Sequence, residues 1–533
     1  MSSAKEPVTR RFGNGLTVLI KEDKSHPVVS LQYWVGTGSM NEGHWQGSGL
    51  SHLLEHLVFK GTAHFSGQDL ARKVQERGGH WNAYTSVNRT VYYIDGPAES
   101  WQIFLNLLTE LVFFPTFPED EMEREKEVVR REMAMYADDP DSVAYQLLMQ
   151  TLYLKHPRRW PVLGERAAFD CLTRQDVLDY HASRYVPNNV VLSIAGDVDA
   201  AEILSHLELL VEDLKSRPLN REPIPHEPHQ FGSRRVRKEF AVPYSKLHLA
   251  WRLPCSAHPD TPALSALSSI LGGGRSARFY EKFHDRLGLV YGIEVHSNQS
   301  ETDEGAFTIS MDVDRAQRDK VRDLVLQELR NLAEEDFTED LKRVCKQTRV
   351  SRLRRRSSAS GMASEMGADW FGARNLNLSS EWQEAIERVT TEDLHRVCST
   401  WLSSPNVTEV SLDPSGSNSG EEEGAASAAG TSLSEHVLGN GMKVVIREDH
   451  RLPLAYACMA FKAGCRAENE HDAGVTDLMA ECLLKGTSTR SAADIARFLE
   501  DIGGAVNTSA GNNSLSVGCQ VLAEDLDAGL ELM

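Results

Sequence analysis

The chain repeats itself, which obliges it to fold as copies of one domain type rather than as a single large core. FGNGLTVLIKEDKSHPVV from Phe12 returns as LGNGMKVVIREDHRLPLA from Leu438. GLSHLLEHLVFKGT from Gly49 returns as GVTDLMAECLLKGT from Gly474, and GGHWNAYTS from Gly78 as GGAVNTSAG from Gly503. The last two matches share an offset of 425 residues and the first differs by one, a register that chance would not keep across three segments.

Between the copies runs DPSGSNSGEEEGAASAAGTS, residues 413–432, small and polar with an acidic run. It cannot bury apolar surface and is expected to be a flexible linker. The first copy is too long for one core, and the Pro- and charge-rich KSRPLNREPIPHEPHQFGS is its expected internal break. Residues 1–215 and 216–412 then form two related domains, and 433–533 begin a third that repeats the first and stops short. The chain is therefore expected to be a fragment of something longer.

Within the first copy, LTVLI and VVSLQYWVG read as strands, and so does WNAYTSVNRTVYYI. Residues 49–60 read as a helix with Leu50, Leu53, Leu54 and Leu57 on one flank, and Ser66 to Gly78 bound a second. The charged stretch 118–138 reads as a third, with Val128, Val129 and Met133 along one stripe. Strands interspersed with helices predict an α+β fold. Among 533 residues, 41% are hydrophobic and 25% charged, a globular composition. A net charge of −20 argues against a nucleic-acid partner. No run of 18 apolar residues predicts a membrane span. The N-terminus lacks a signal-peptide core, and the eight cysteines form no C-x-x-C. A cytoplasmic location fits these signals better than a periplasmic one.

His52, Glu55 and His56 spell H-x-x-E-H. Residues four apart share a helix face, so both imidazoles can address one ion, with the Glu55 carboxylate beside it. Two imidazoles do not complete a catalytic zinc site, which usually has three protein ligands and a water. Glu132 is the candidate third ligand and Glu125, one heptad earlier, its companion. On spacing alone, however, glutamates in EDEMEREKEVVRRE read first as a solvated face. The strand at Asn82–Ser86 reads equally as a core strand or as an edge open to a peptide.

The motif together with Glu132, 76 residues after His56, resembles the signature of the pitrilysin/insulinase family of inverzincin metallopeptidases, which includes the mitochondrial processing peptidases. Gly49, FKGT at 59–62, NAYTS at 82–86 and HPRRWPVLG at 156–164 carry the resemblance further. The resemblance implies repeated two-layer α/β-sandwich domains and a zinc-dependent endopeptidase acting on unfolded peptides. It implies one Zn²⁺ per chain, held by His52, His56 and Glu132, with Glu55 as the base that activates the metal-bound water and Glu125 in support. It implies a substrate-binding edge at Asn82, Ala83 and Tyr84.

Two departures stand out. Asp477, Ala480 and Glu481 replace His52, Glu55 and His56 in the second copy, so that copy holds no such centre. In the family, one half carries an Arg and a Tyr seven residues apart that help hold the substrate; here Tyr291 stands opposite His284, with Arg286 two residues out of register. The working pair is expected in a C-terminal half that completes the chamber. We therefore expect the 533-residue chain to bind zinc but cleave peptides poorly; full activity of this chain alone would sink that expectation. The alternatives are a non-catalytic scaffold or a processing-complex subunit of the same fold, and S-ribosylhomocysteine lyase, which shares H-x-x-E-H but is small and single-domain. Natural substrate, cleavage preference and oligomeric state are not legible.

Overall fold

A computed structural model describes residues 6–219, 223–274, 276–299, 305–402, 405–415, 433–447, 454–469, 471–501 and 505–533. The chain divides into two compact units, Met1–Ser417 and Asn418–Met533.

The first unit holds two sheets. Strands β1 (Val8–Arg11), β2 (Thr17–Glu22), β3 (Val28–Val35), β4 (His80–Thr85), β5 (Thr90–Pro97) and β6 (Val190–Gly196) form one, in the order β1-β2-β6-β3-β5-β4. Strands β7 (Arg234–Phe240), β8 (Ser245–Leu253), β9 (Gly292–Asn298), β10 (Gly305–Val313) and β11 (Thr408–Pro414) form the other, in the order β7-β11-β8-β10-β9. Helices α1 (Leu50–Val58), α2 (Gly67–Gln75), α3 (Trp101–Phe113), α4 (Glu119–Asp138) and α5 (Pro140–Leu152) follow in the first half of the unit. The α+β expectation holds, with helices layered on both sheets.

The main core lies between the first sheet and its helices. Leu50, Leu53, Leu54 and Leu57 of α1 are fully buried against Leu31, Tyr33, Tyr92 and Ile94. Four buried leucines anchor the helix firmly, since each Leu→Ala change would cost about 2–5 kcal/mol. The alternation of β3 sends Leu31, Tyr33 and Val35 into this core, as the pattern requires.

The opposite face of β3 carries Ser30, Gln32 and Trp34, a polar face by sequence that is nonetheless buried. The helix Ala359–Ala373, from the other half of the unit, lies across it. Gln32 Nε2 donates to the Ser360 carbonyl at 3.1 Å, Ser193 Oγ to the Ala363 carbonyl at 2.7 Å, and Trp34 packs with Met362 and Met366. Gly367 permits this approach, because a Cβ there would stand 2.3 Å from the Trp34 ring. The favour is returned. Helix α5 covers β8 and β11, with Leu148, Met149 and Leu152 against Ala250 and Val410. The buried Glu227 carboxylate then accepts the backbone N–H groups of Leu154, Lys155 and His156 at 2.7, 2.8 and 2.9 Å, fastening the connecting segment to the end of α5.

Several local readings need correction. WNAYTSVNRTVYYI is not one strand but the hairpin β4–β5, turned at Ser86–Arg89, where Ser86 Oγ donates to Asn88 Oδ1 and to the Arg89 carbonyl. Polar side chains make the turn without glycine. Of the expected stripe on α4, Val129 is buried and Met133 packs against the core, but Val128 is 45% exposed; Met122, Glu125 and Lys126 complete the inward face. Strand β11 carries ordered backbone two residues into the stretch read as linker, because Asp413 is buried and accepts from Ser245 Oγ at 2.7 Å. Residues 416–432, the rest of that stretch, lie outside the described residues.

The second unit contains the hairpin β12 (Leu433–Val437) and β13 (Lys443–Arg447). It also contains β14 (Leu454–Phe461), β15 (Ala505–Ala510) and β16 (Leu515–Leu522), in the order β14-β16-β15. Helix Val475–Leu483 stands where α1 does in the repeat. β15–β16 is a hairpin at the sheet edge, as β4–β5 is in the first copy.

Candidate metal centre and active site

Helix α1 starts at Gly49, whose φ of +73° and lack of side chain suit a very tight contact: a Cβ there would stand 2.0 Å from the Leu163 carbonyl oxygen. That contact ties the HPRRWPVLG loop to the start of the helix. The leucine stripe faces the core, leaving His52, Glu55 and His56 on the flank that meets α4. Three acidic residues in the first turn of α4, Glu119, Asp120 and Glu121, complement that helix's dipole.

The two helices bring three ligand atoms together. His52 Nε2 lies 3.7 Å and His56 Nε2 3.9 Å from Glu132 Oε2, and all three atoms fall within 4.8 Å of one another. Ligands at zinc–ligand distances around a tetrahedral ion stand about 3.4 Å apart, so this donor set fits a zinc ion once the side chains draw together by about an ångström or less. Burial, and then the neighbouring His56, pulls His52 down to about 3, so the imidazole is neutral as a metal ligand must be.

His56 is held differently. Burial opposes its protonation, but Glu125 and the other carboxylates around it outweigh burial and raise its pKa. Its Nδ1 lies 3.1 Å from Glu125 Oε2, which leaves Nε2 to face Glu132. Glu125 also receives Lys60 Nζ at 2.7 Å; against the upward push of burial, His56 and Lys60 keep its pKa below the ordinary value. Glu125 therefore orients an imidazole, as carboxylates behind metal-bound histidines do. Glu55 sits on the same helix, its pKa raised chiefly by burial and restrained by a hydrogen bond from Thr85 Oγ1 of β4.

Lys60 and Thr85 were not singled out from sequence. Both stood inside motifs quoted as flanks, FKGT and NAYTS, and the signal was there: Lys60 is four residues after His56, one turn along the same face.

The four expected substrate residues divide. Strand β4 is the sheet edge, so the edge reading of Asn82–Ser86 prevails over the core reading. Asn82 lines a cleft of about 350 Å³ with Glu55, His56, Lys60, Trp81 and Glu125. Ala83 turns inward against the core, and Tyr84 is 40% exposed on the other face. Tyr291 belongs to the other sheet: it stands beside β9, its hydroxyl 3.0 Å from Asp314 Oδ1 and its ring 5.3 Å from Tyr244. His284 stacks on Tyr280, and Arg286 pairs with Glu281.

Fold and site together define a repeated α/β-sandwich protein with a candidate centre for one metal ion, built from two histidines and a carboxylate. The family model "Insulinase (Peptidase family M16)" matches residues 17–166 and again 443–533, and "Peptidase M16 inactive domain" matches 172–347. The chain belongs to the pitrilysin/insulinase family of peptidases, M16. A protein from Rickettsia felis named an uncharacterized zinc protease is 27% identical over 412 residues, covering 75% of this chain and 96% of that one. One of the same description from Mycobacterium bovis is 30% identical over 299 residues, covering 55% and 67%. A crystal structure of a protease from Helicobacter pylori superposes with a TM-score of 0.70 at 26% identity, covering 77% of this chain and all of the other. No helix among the described residues is long and apolar enough to cross a membrane.

Proposed function

We propose that this chain is a zinc-dependent endopeptidase whose single centre is held by His52, His56 and Glu132, with Glu55 as general base and Glu125 as an orienting carboxylate. The observation that carries the reading is the convergence of His52 Nε2, His56 Nε2 and Glu132 Oε2 from two helices, with Glu55 on the same helical face. Bound there, zinc would polarise a peptide carbonyl and lower the pKa of a water.

The protein's own groups do the rest. Burial lifts the Glu55 carboxyl above its ordinary range, which suits a group that takes a proton from water and returns it to the leaving amine. Thr85 fixes which way that carboxyl faces. The free edge of β4 offers backbone N–H and C=O groups to an extended peptide, with Asn82 at the mouth of the cleft; main-chain pairing demands little of the peptide's side chains, so unfolded peptides are the substrate class. In the second copy Asp477, Ala480 and Glu481 leave neither imidazole nor base, which supports one zinc per chain.

The test is metal content and peptide hydrolysis, wild type against Glu55→Gln, with and without a chelator. The reading expects one bound zinc in both proteins, and cleavage only in metal-loaded wild type. Zinc binding with no cleavage at all, not even the weak cleavage expected of this chain, would turn the reading to a scaffold.

A further inference from the structure

Helix α1 needs something to receive its first free N–H groups. An N-cap side chain would ordinarily do so, but Gly49 has none, and the 2.0 Å approach of Leu163 leaves no room for one. The acceptor comes from outside the helix. Glu42 is fully buried, and its Oε1 receives the Ser51 N–H at 2.8 Å. The Ser51 hydroxyl is in turn 2.7 Å from the Tyr180 hydroxyl, itself 2.6 Å from Thr37 Oγ1. The residue immediately before His52 is thus pinned through both backbone and side chain.

The second copy uses the same device. Its helix starts at Gly474 with φ +89°, and Glu468 receives the Gly474 N–H at 2.6 Å and the Thr476 N–H at 2.8 Å. Thr476 matches Ser51 at the 425-residue offset. There the cap merely starts a helix that carries no imidazole, and Glu468 is only half-buried. In the first copy the carboxyl is sunk in the interior, facing the backbone N–H groups of Ser51, Gly49 and Gly47. Burying a carboxyl group this deeply costs free energy that a cap nearer the surface does not incur.

We propose that Glu42 is a positioning residue for the metal centre: it fixes the start of α1 so that His52 and His56 aim at one point. This rests on the zinc reading above. In the first copy the cap does more than start a helix, because the residue after the capped Ser51 is a ligand.

The experiment is zinc affinity of the full chain by competition with a chromophoric chelator, with thermal melting alongside. Glu42→Ala should weaken zinc binding roughly tenfold to hundredfold, the range for groups that orient metal ligands. Glu42→Gln, which keeps an acceptor oxygen, should restore near wild-type affinity, and Glu468→Ala should leave zinc affinity unchanged. If Glu42→Ala does not fold, Glu42→Asp, one methylene short, takes its place under the same criteria. A folded Glu42→Ala or Glu42→Asp protein holding zinc at wild-type affinity overturns the proposal. So does a Glu468→Ala protein weakened as much as Glu42→Ala, since the effect would then be general destabilisation. A wild-type chain that holds no zinc overturns the zinc reading as well, whereas the other two results leave that reading standing.

Discussion

Helices Leu50–Val58 and Val475–Leu483 are built alike and equipped differently. Both begin at a glycine of positive φ, both take their cap from a glutamate upstream, and both lead into a short bridge, Gly61 with Ser66 and Gly486 with Ser491. Ser66 and Ser491 then cap the following helices through the backbone N–H groups of Asp69 and Asp494. Against this shared frame, the three residues of the H-x-x-E-H motif have changed: His52 to Asp477, Glu55 to a buried Ala480, His56 to Glu481. The scaffold signals of this repeat are therefore separable from its reactive groups, and a match to the scaffold does not establish a centre.

The comparison breaks most sharply at the base. Giving the first copy the second copy's residue, Glu55→Ala, should lower peptide hydrolysis by roughly 10²–10⁴-fold with zinc still bound; a smaller loss would mean that Glu55 is not the base. Next come the helix-starting glycines. Gly49→Ala meets both left-handed strain of about 1–2 kcal/mol and overpacking of about 1–3 kcal/mol. Gly474→Ala meets the strain alone as far as the described residues go, none of which lies within 4 Å of its Cβ position. Denaturant titration should show the first protein less stable by the larger amount, and equal losses would mean that the Leu163 contact yields easily. Lys60→Ala, which frees Glu125 from its ammonium, should weaken zinc binding about tenfold or more. Lys485, its counterpart, has no carboxylate partner among the described residues, and Lys485→Ala should do nothing to zinc affinity.

The smallest effect sharpens the contrast between the caps. Burial lifts Glu42 from an ordinary 4.5 to about 8, despite the N–H groups that lower it, whereas the N–H groups on half-buried Glu468 draw its pKa below the ordinary value. The signs oppose. The contribution of Glu42 to stability is complete below about 4.5 and is lost as pH rises through about 8. That of Glu468 is present above the ordinary carboxylate range and is lost as pH falls through its lowered value. Glu42→Gln in the metal-free protein should flatten the fall in melting temperature between about 4.5 and 8; an unchanged slope would mean that Glu42 is not held protonated.

What could be read from the residues follows from distance along the chain. The leucines of α1 and the pair His52 and His56 are local to one helix, and spacing alone puts them on their faces. Glu132 needed the family resemblance, because nothing in a charged helix marks one carboxylate as a ligand until α1 lies against it. The polar face of β3 was illegible for the same reason. Ser30 and Gln32 look solvated until a helix more than 300 residues later supplies Ser360 and Ser364 as partners. The β4–β5 turn escaped because Ser86 and Asn88 shape it where glycine would have announced it.

The exchange of covering helices in the first unit has a practical consequence. Made separately, the half ending near residue 217 would show water the bare face of Trp34 and Val191, and the remainder would show that of Ala250 and Val410. Each piece carries the lid the other lacks. Two such pieces, expressed together, should find one another and reconstitute, so the proposed zinc centre, whose donors all lie in the first piece, would gain affinity when the second is supplied.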